Sequence, residues 1–509
     1  MKSFKTSQYK AMNSFFAKTV IMLFLMAFTA STAWALDYTA RGQTYADAPT
    51  WKNCTVNING NGSITFENRI IISGTVTLNL GANTTLVALE GIELAEGNTL
   101  TINGSGTLKA TGASGKSGIG SQFFGTLVVN GGNITATGGS YAAGIGGDQF
   151  SWEMGHTGNG TTVKGNNLGT ISGTPWSWET WNQGGTQSMI YYNNGTYKAQ
   201  WSKVQDYFVS MGYDYGNTSG VDYKTKRYSA DYKYTKIGSA STYSCIGAQG
   251  WTTNPATQFF IVDDWYNAPT FSNYKKIGTA TIDGATYTIY VTYKQSMPSP
   301  FGTSNYIEIY SKRESTRQQG HIDISAHFRK FEELLHGQTV TLNGKDVSLL
   351  FGGKVYQLWL FCEVCSSTGS IDYTYYRMTD DEKSNITING GTITATGGTG
   401  ASGIGAASNG GSPGMLALGD GVTVYGGTSS NPTGNALTGP VDDVTTRYRY
   451  MKVEKSSGIS TAINNINPST DESIYFNLQG QRVDHPTWGI YIRQQGKDRK
   501  KVVVREVKN

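Results

Sequence analysis

Gly106–Ser121 reads GTLKATGASGKSGIGS, Gly132–Gly147 reads GNITATGGSYAAGIGG, and Gly391–Ala406 reads GTITATGGTGASGIGA. The first two copies start 26 residues apart and the last two start 259 apart. Self-similarity at a short fixed period marks a solenoid, in which each unit buries its apolar face only against its neighbours. A jump of one period plus roughly 230 residues therefore places a whole domain between two adjacent units.

Outward from these phrases, residues 51–150 alternate apolar and polar in short runs, such as Val56-Asn57-Ile58, Val76-Thr77-Leu78, Leu100-Thr101-Ile102 and Leu127-Val128-Val129. Gly, Asn and Asp steps separate them, which predicts parallel β-helix rungs with the Gly-Ile-Gly ends as tight corners, each with one inward isoleucine. The pattern resumes at Asn385–Gly427, including LALGDGVTVYGG at Leu416–Gly427. These rungs resemble the carbohydrate-binding-type β-helix domains of bacterial surface proteins.

The first 35 residues read as an export leader. Lys2, Lys5, Lys10 and Lys18 precede the apolar run TVIMLFLMAFTA (Thr19–Ala30), and Ala33-Trp34-Ala35 has the small-residue pattern of a cleavage site. The run is too short for a membrane span. Without the leader's four lysines the formal +5 falls to about +1, so charge offers no reason to expect nucleic acid as a partner. The expected location is secreted or at the cell surface.

The 65 glycines and 31 tyrosines suit exported β-structure with many turns. Of the four cysteines, Cys362 and Cys365 have half a zinc spacing, but no second pair stands at a suitable distance. A disulfide from Cys245 to one of them and simple buried thiols both remain open. No metal or organic cofactor is implied.

Residues 165–378 are β-like throughout except at Ser325–Gly337. There Phe328, Phe331, Leu334 and Leu335 share a helical face, with Ser325 as N-cap and Gly337 as stop. Within this block Gly250–Pro269 reads GWTTNPATQFFIVDDWYNAP. Trp178-x-x-Trp181-x-x-Gly184-Gly185 and GTYKAQW (Gly195–Trp201) precede it. Asp283-Gly284-x-x-Tyr287-x-Ile289-Tyr290 with Pro298-Ser299, then His327-Phe328, then Tyr356-Gln357…Glu363…Ser366-Ser367 follow it in order.

These segments resemble glycoside hydrolase family 11, the small β-jelly-roll xylanases. The resemblance implies a curled sheet gripping a β-1,4-xylan chain, with two glutamates cleaving it with retention. Such chemistry needs carboxyls about 5–5.5 Å apart, one attacking the anomeric carbon and one protonating the leaving oxygen. The nucleophile position is here Gln258, whose carboxamide is uncharged and a poor nucleophile, so retaining hydrolysis is expected to be lost or strongly reduced.

Glu363 is the acid/base candidate. It falls seven residues after Tyr356, one more than the family spacing, so either a bulge corrects its register or it points away from the cleft. Asp264 lies too far along its strand to rescue catalysis, Asp263 faces the other side, and Glu179 is a candidate partner for Glu363 in a wider, inverting pair. By the same resemblance the substrate-binding positions are Trp181, Gln200, Phe260, Tyr290, Lys294, Pro298, Ser299, Asn305 and Tyr356. Gln200 takes the place of the residue that tunes the acid, and Gln249 that of a cleft tyrosine.

The expected architecture is all-β: a right-handed parallel β-helix (36–150 and 379–454) interrupted, after a junction at 151–164, by a β-jelly-roll with one helix (165–378). A linker (455–473) and a small β-module (474–509) follow. The stretch Asn477–Val483 with Gly489–Ile492 resembles the C-terminal sorting-type modules of some Gram-negative secreted proteins, which implies contact with secretion or cell-surface machinery. Three functions compete: a protein binding xylan or a related plant-type polysaccharide, an active endo-β-1,4-xylanase with a changed catalytic pair, and a structural or adhesion protein.

Overall fold

The computed structural model describes residues 34–455 except 217–220, 383–384, 409–415, 431, 433–435 and 438–447. Beyond 455 it describes the strand residues 474–476, 482–483, 489–495 and 498–504. The expected leader up to residue 33 and the expected linker from 456 lie outside these residues. Among the described residues no helix is long and apolar enough to cross a membrane.

The repeats wind into three parallel sheets, each coil giving one strand to each sheet. Equivalent side chains stack inside: Val56, Leu78, Ile102, Val129 and Ile388 pair successively in one sheet, and Ile64, Leu86, Leu108, Ile134 and Ile393 in the next. The isoleucines of the Gly-Ile-Gly corners, Ile119, Ile145 and Ile404, stack in the third sheet and are fully buried. Their glycines answer to close approach. A Cβ on Gly118 would lie 2.8 Å from the carbonyl oxygens of both Ala110 and Gly144, nearer than real Cβ contacts come.

Strand Thr126–Val129 pairs directly with Ile386–Ile388, and Asn133–Thr137 with Thr392–Thr396, so coils 259 residues apart in sequence are neighbours in space. A side-chain ladder crosses the same joint. Asn57 donates to Asp37, Asn79 to Asn57, Asn103 to Asn79, Asn130 to Asn103 and Asn389 to Asn130, at 2.8–3.1 Å. Strand Tyr450–Lys455 then closes the stack in antiparallel pairing with Thr392–Thr396 and Val422–Gly427.

Between these coils the chain forms one strongly bent sheet of 13 strands. Its members include Ser177–Gln183, Tyr197–Asp214, Lys226–Thr253, Thr257–Asp264, Ala285–Ser299, Gly302–Arg313 and Lys354–Glu382. Two-residue alternation divides its faces. Leu358, Leu360, Cys362 and Val364 join Ile246, Ala248, Phe259, Ile261, Ile307 and Ile309 in the main core, which the helix Ile324–Leu335 helps to cover with Phe328, Phe331 and Leu335. Cys245, Phe260, Val262, Tyr310 and Phe361 form a separate cluster on the opposite face.

The helix differs from expectation at its start. Asp323 is the N-cap and accepts from the Ala326 amide at 2.9 Å, whereas Ser325 Oγ accepts from the Tyr228 amide and ties the helix to the sheet. A carboxylate placed to accept the free amides of the first turn complements the helix dipole, and this frees the serine for a tertiary bond.

Phe150, Trp152 and Tyr375 pack with Phe123, and Arg377 lies 4.4 Å over the Phe123 ring while pairing with Glu96 at 3.0 Å. These contacts seat the bent sheet on the coil that precedes it. All four cysteines are free thiols. Cys362 faces the main core and Cys245 the opposite cluster, so the strand alternation itself holds these two apart. The strands beyond 455 form a second compact unit, a four-stranded antiparallel sheet of Ile474–Phe476, Arg482–Val483, Gly489–Gln495 and Asp498–Val504.

Candidate active site

The face carrying Phe260 and Phe361 gathers carboxyl groups from strands distant in sequence. Glu363 stands opposite Phe208 on one side and Cys245 on the other. Its orientation depends on one extra residue. Trp251 faces Gln357 and Thr252 faces Val355, so Tyr356 is left unpaired in a bulge. Beyond the bulge Trp359, Phe361 and Glu363 share the face of Gln249 and Cys245 rather than that of the core.

Glu363 keeps part of its surface open. Burial, followed by the charges of Asp206 and Glu308, pushes its carboxyl up to about 8, against the Tyr243 hydroxyl and Lys294, which favour the anion. A group so placed is protonated at neutral pH and suits a general acid. Tyr243 donates to Glu363 at 3.5 Å and shares a 2.9 Å hydrogen bond with Tyr310.

Gln258 is partly exposed and lies beside Trp251 on one flank and Glu308 on the other. Strands Thr257–Asp264 and Gly302–Arg313 run parallel and in register, so Gln258 and Glu308 point to the same face. Glu308 is buried, accepts from the Tyr274 hydroxyl at 2.6 Å and pairs with Lys294 at 3.4 Å. Burial raises its carboxyl, and Lys294 and Tyr274 oppose that rise.

Rings line the rest of the face. Phe260 stacks on Tyr310 at 4.3 Å and Tyr290 on Phe271 at 4.2 Å, so both belong to a packed floor. Trp181, in contrast, is 40% exposed and sits opposite Phe208, one strand from Glu363. The hairpin of Ala285–Ser299 and Gly302–Arg313 turns at Ser299–Gly302, and its Phe301 packs on Trp251 and Tyr356. Asn305 accepts from the Ser296 amide at 2.8 Å, which shapes the hairpin beside Pro298. Gln249 is buried, and its carbonyl oxygen finds no hydrogen-bond partner among the described residues.

Residues 173–373 match the family model Glycosyl hydrolases family 11. The chain carries a glycoside hydrolase family 11 domain. Over 197 residues it is 38% identical to endo-1,4-beta-xylanase C of Fibrobacter succinogenes, covering 38% of this chain and 30% of that protein. It is 31% identical over 201 residues to endo-1,4-beta-xylanase S20 of Neocallimastix patriciarum, covering 38% of this chain and 55% of that one. A crystallised ENZbleach xylanase mutant aligns with 25% identity and a TM-score of 0.39, covering 45% of this chain and 88% of that one. The chain thus spans about a third to a half of the length of the two curated relatives.

Within the family 11 domain the structure separates some residues that sequence reasoning had grouped. Gln200 stands opposite Ser188 and Ser370 in an open groove of about 770 Å³, with Trp201 and Ile237. Ser370 lies seven residues beyond Glu363 on one strand, roughly 20 Å away. Gln200 therefore does not tune the acid. Asp206 does: past a register break between Trp201 and Val204, it pairs with Cys365, two residues from Glu363. Burial raises Asp206 itself, against hydrogen bonds from Cys365 and the Tyr207 backbone.

Glu179 is raised by burial and then by Asp214, and Glu363 is not among the groups that perturb it. Asp264 is committed to Lys236 at 2.8 Å and to the Tyr234 hydroxyl. Asp263 is buried, which alone would raise it, but Arg317 at 2.6 Å and two tyrosine hydroxyls hold it low. His327 is buried under Tyr287, and desolvation lowers it to about 4. Sequence reasoning missed Glu308, Asp206, Tyr243, Tyr274 and Tyr310. The acidic residue in the alternating run Tyr306–Tyr310 (YIEIY) was the available signal for Glu308.

Proposed function

We propose that the family 11 domain of this chain holds a xylan-type β-1,4-linked polysaccharide in its cleft, and that retaining hydrolysis through position 258 is lost. The observation that carries the reading is the open Trp181 ring, on the sheet face that bears Glu363, inside a stretch 38% identical to a xylanase. A flat indole with one free face suits stacking on a sugar ring, and the partly open Gln258 amide offers hydrogen bonds to hydroxyls. The amide at 258 argues against a glycosyl–enzyme ester, because it supplies neither charge nor a competent nucleophile.

In this reading the coils display the domain rigidly, since two chain connections and the Phe150–Trp152–Tyr375 contact tether it. Residues 1–35 direct export and residues 474–509 address secretion or cell-surface machinery. The test is calorimetric titration of the full chain with xylohexaose. Saturable binding that weakens about tenfold in Trp181→Ala is expected, in line with the loss of one ring contact. No heat from a folded wild-type protein refutes the reading and favours a structural or adhesion role.

A further inference from the structure

The cleft contains an acid, Glu363, and an amide where the second carboxyl is expected, but the next strand supplies a carboxyl beside that amide. Glu308 neighbours Gln258 across a parallel ladder, about 4.8 Å away and on the same face. Its Oε1 is held by Tyr274 at 2.6 Å, with Lys294 at 3.4 Å. Tyr274 packs 5.4 Å from Tyr310, and Tyr310 bonds through Tyr243 toward Glu363, so one wall of tyrosines runs from one carboxyl to the other. Lys294 and Glu308 both act electrostatically on Glu363.

The other carboxyls have different commitments. Asp264 is ion-paired to Lys236, Glu179 answers to Asp214, and Asp206 flanks Glu363 on the side away from Gln258. Strand order sets where the two carboxyls stand. One strand, Lys226–Thr253, lies between Glu363 and Gln258, and two lie between Glu363 and Glu308. Retaining pairs stand about 5–5.5 Å apart and inverting pairs about 6.5–9.5 Å, the extra room holding a water molecule. With an amide at the nucleophile position, the carboxyl on the next strand is placed to act on a water beside Gln258 rather than on the anomeric carbon itself.

Resting on the xylan reading above, we propose that Glu308 is the catalytic base that partners Glu363, and that the domain cleaves β-1,4-xylosidic bonds by single displacement with inversion. Glu308 takes a proton from water as the water oxygen bonds to the anomeric carbon. The bond from that carbon to the leaving oxygen breaks, and Glu363 gives its proton to that oxygen. One water is consumed and two shorter chains result, the new reducing end beginning as the α anomer. Exchange with solvent returns the proton from Glu308 and restores the one on Glu363. Gln258 borders the water's position and offers it a hydrogen bond.

The test uses the full chain with xylohexaose, following binding by calorimetry, chain release by reducing ends, and the first product anomer by proton NMR. Wild type is expected to release the α anomer. Glu308→Gln is expected to lose release by about 10²- to 10⁴-fold while its Kd changes less than about threefold. Where Glu308→Gln fails to fold, Glu308→Asp is used: it withdraws the carboxyl by one methylene and is expected to slow release at least about tenfold, again with little change in Kd. Binding without release by wild type overturns the role of Glu308 and leaves the xylan reading standing. An initial β anomer, or release unchanged in Glu308→Gln or Glu308→Asp, also overturns it. Absence of both binding and release overturns the two readings together.

Discussion

Replacing Gln258 with glutamate places two carboxyls side by side, because position 258 lies in register with Glu308 on the neighbouring strand. At about 5 Å and an effective dielectric constant of about 20, two such charges repel by roughly 3 kcal/mol. The open side of position 258 admits water and reduces this to about 2 kcal/mol, or about 1.5 pKa units. Lys294 already serves Glu308 and cannot neutralise both. The folded-state pKa of the pair therefore rises above its unfolded value. The penalty is absent below the unfolded glutamate pKa of about 4.3, grows as pH rises through the interval up to the raised folded value, and is complete above it.

Gln258→Glu is thus expected to match wild type in stability near pH 4 and to be about 2 kcal/mol less stable at pH 8, measured by denaturant melts at the two pH values. The exchanged pair Gln258→Glu with Glu308→Gln is expected to recover the loss at pH 8, which a double-mutant cycle reads directly. Equal destabilisation at both pH values, or no coupling in the cycle, refutes the juxtaposition of the two side chains and with it the electrostatic argument for Glu308.

The pH dependence of Glu363 gives a second expectation. Its carboxyl, pushed up to about 8 mainly by burial, is protonated below that value, so chain release should fall as pH rises through about 8, and Glu363→Gln should lose release across the whole pH range. In the coils, Asn130→Ala removes the bond to Asn103 and the bond from Asn389 that bridges the interruption, and is expected to cost about 1–2 kcal/mol in thermal or denaturant unfolding. Gly144→Ala is expected to cost more, at least about 2 kcal/mol by the same measurement, since a Cβ there would lie 2.6 Å from the Gly403 carbonyl oxygen and backbone cannot step aside cheaply.

Much of this protein is legible along the chain because its determinants are local. The phrase ending in Gly-Ile-Gly, first repeated at 26 residues, makes the same contact in the three coils that carry it, and stacked Ile119, Ile145 and Ile404 follow directly from it. The interruption is equally plain, since a repeat broken in sequence has only one way to remain whole in space. The amide at Gln258 is visible by inspection of one strand. The lone helix is legible too, although its cap is not: Asp323 and Ser325 are both good N-cap residues, and the pairing of Ser325 with the distant Tyr228 amide decided between them.

What the sequence by itself determined was therefore the repeat, its interruption and the chemical identity of the residue at position 258. What only the tertiary structure decided was which groups share the cleft. Glu308 is 50 residues from Gln258 and 55 from Glu363, and it joins them only because parallel pairing sets it beside the amide. Glu363 reaches the cleft face because Tyr356 is squeezed out of the ladder, and Asp206 replaces Gln200 as its neighbour because of a second register break. In a sheet the side-chain period is two, so one unpaired residue reverses every orientation that follows. Cross-strand register, and hence the pairing of carboxyls, is a property of the folded sheet rather than of any one strand.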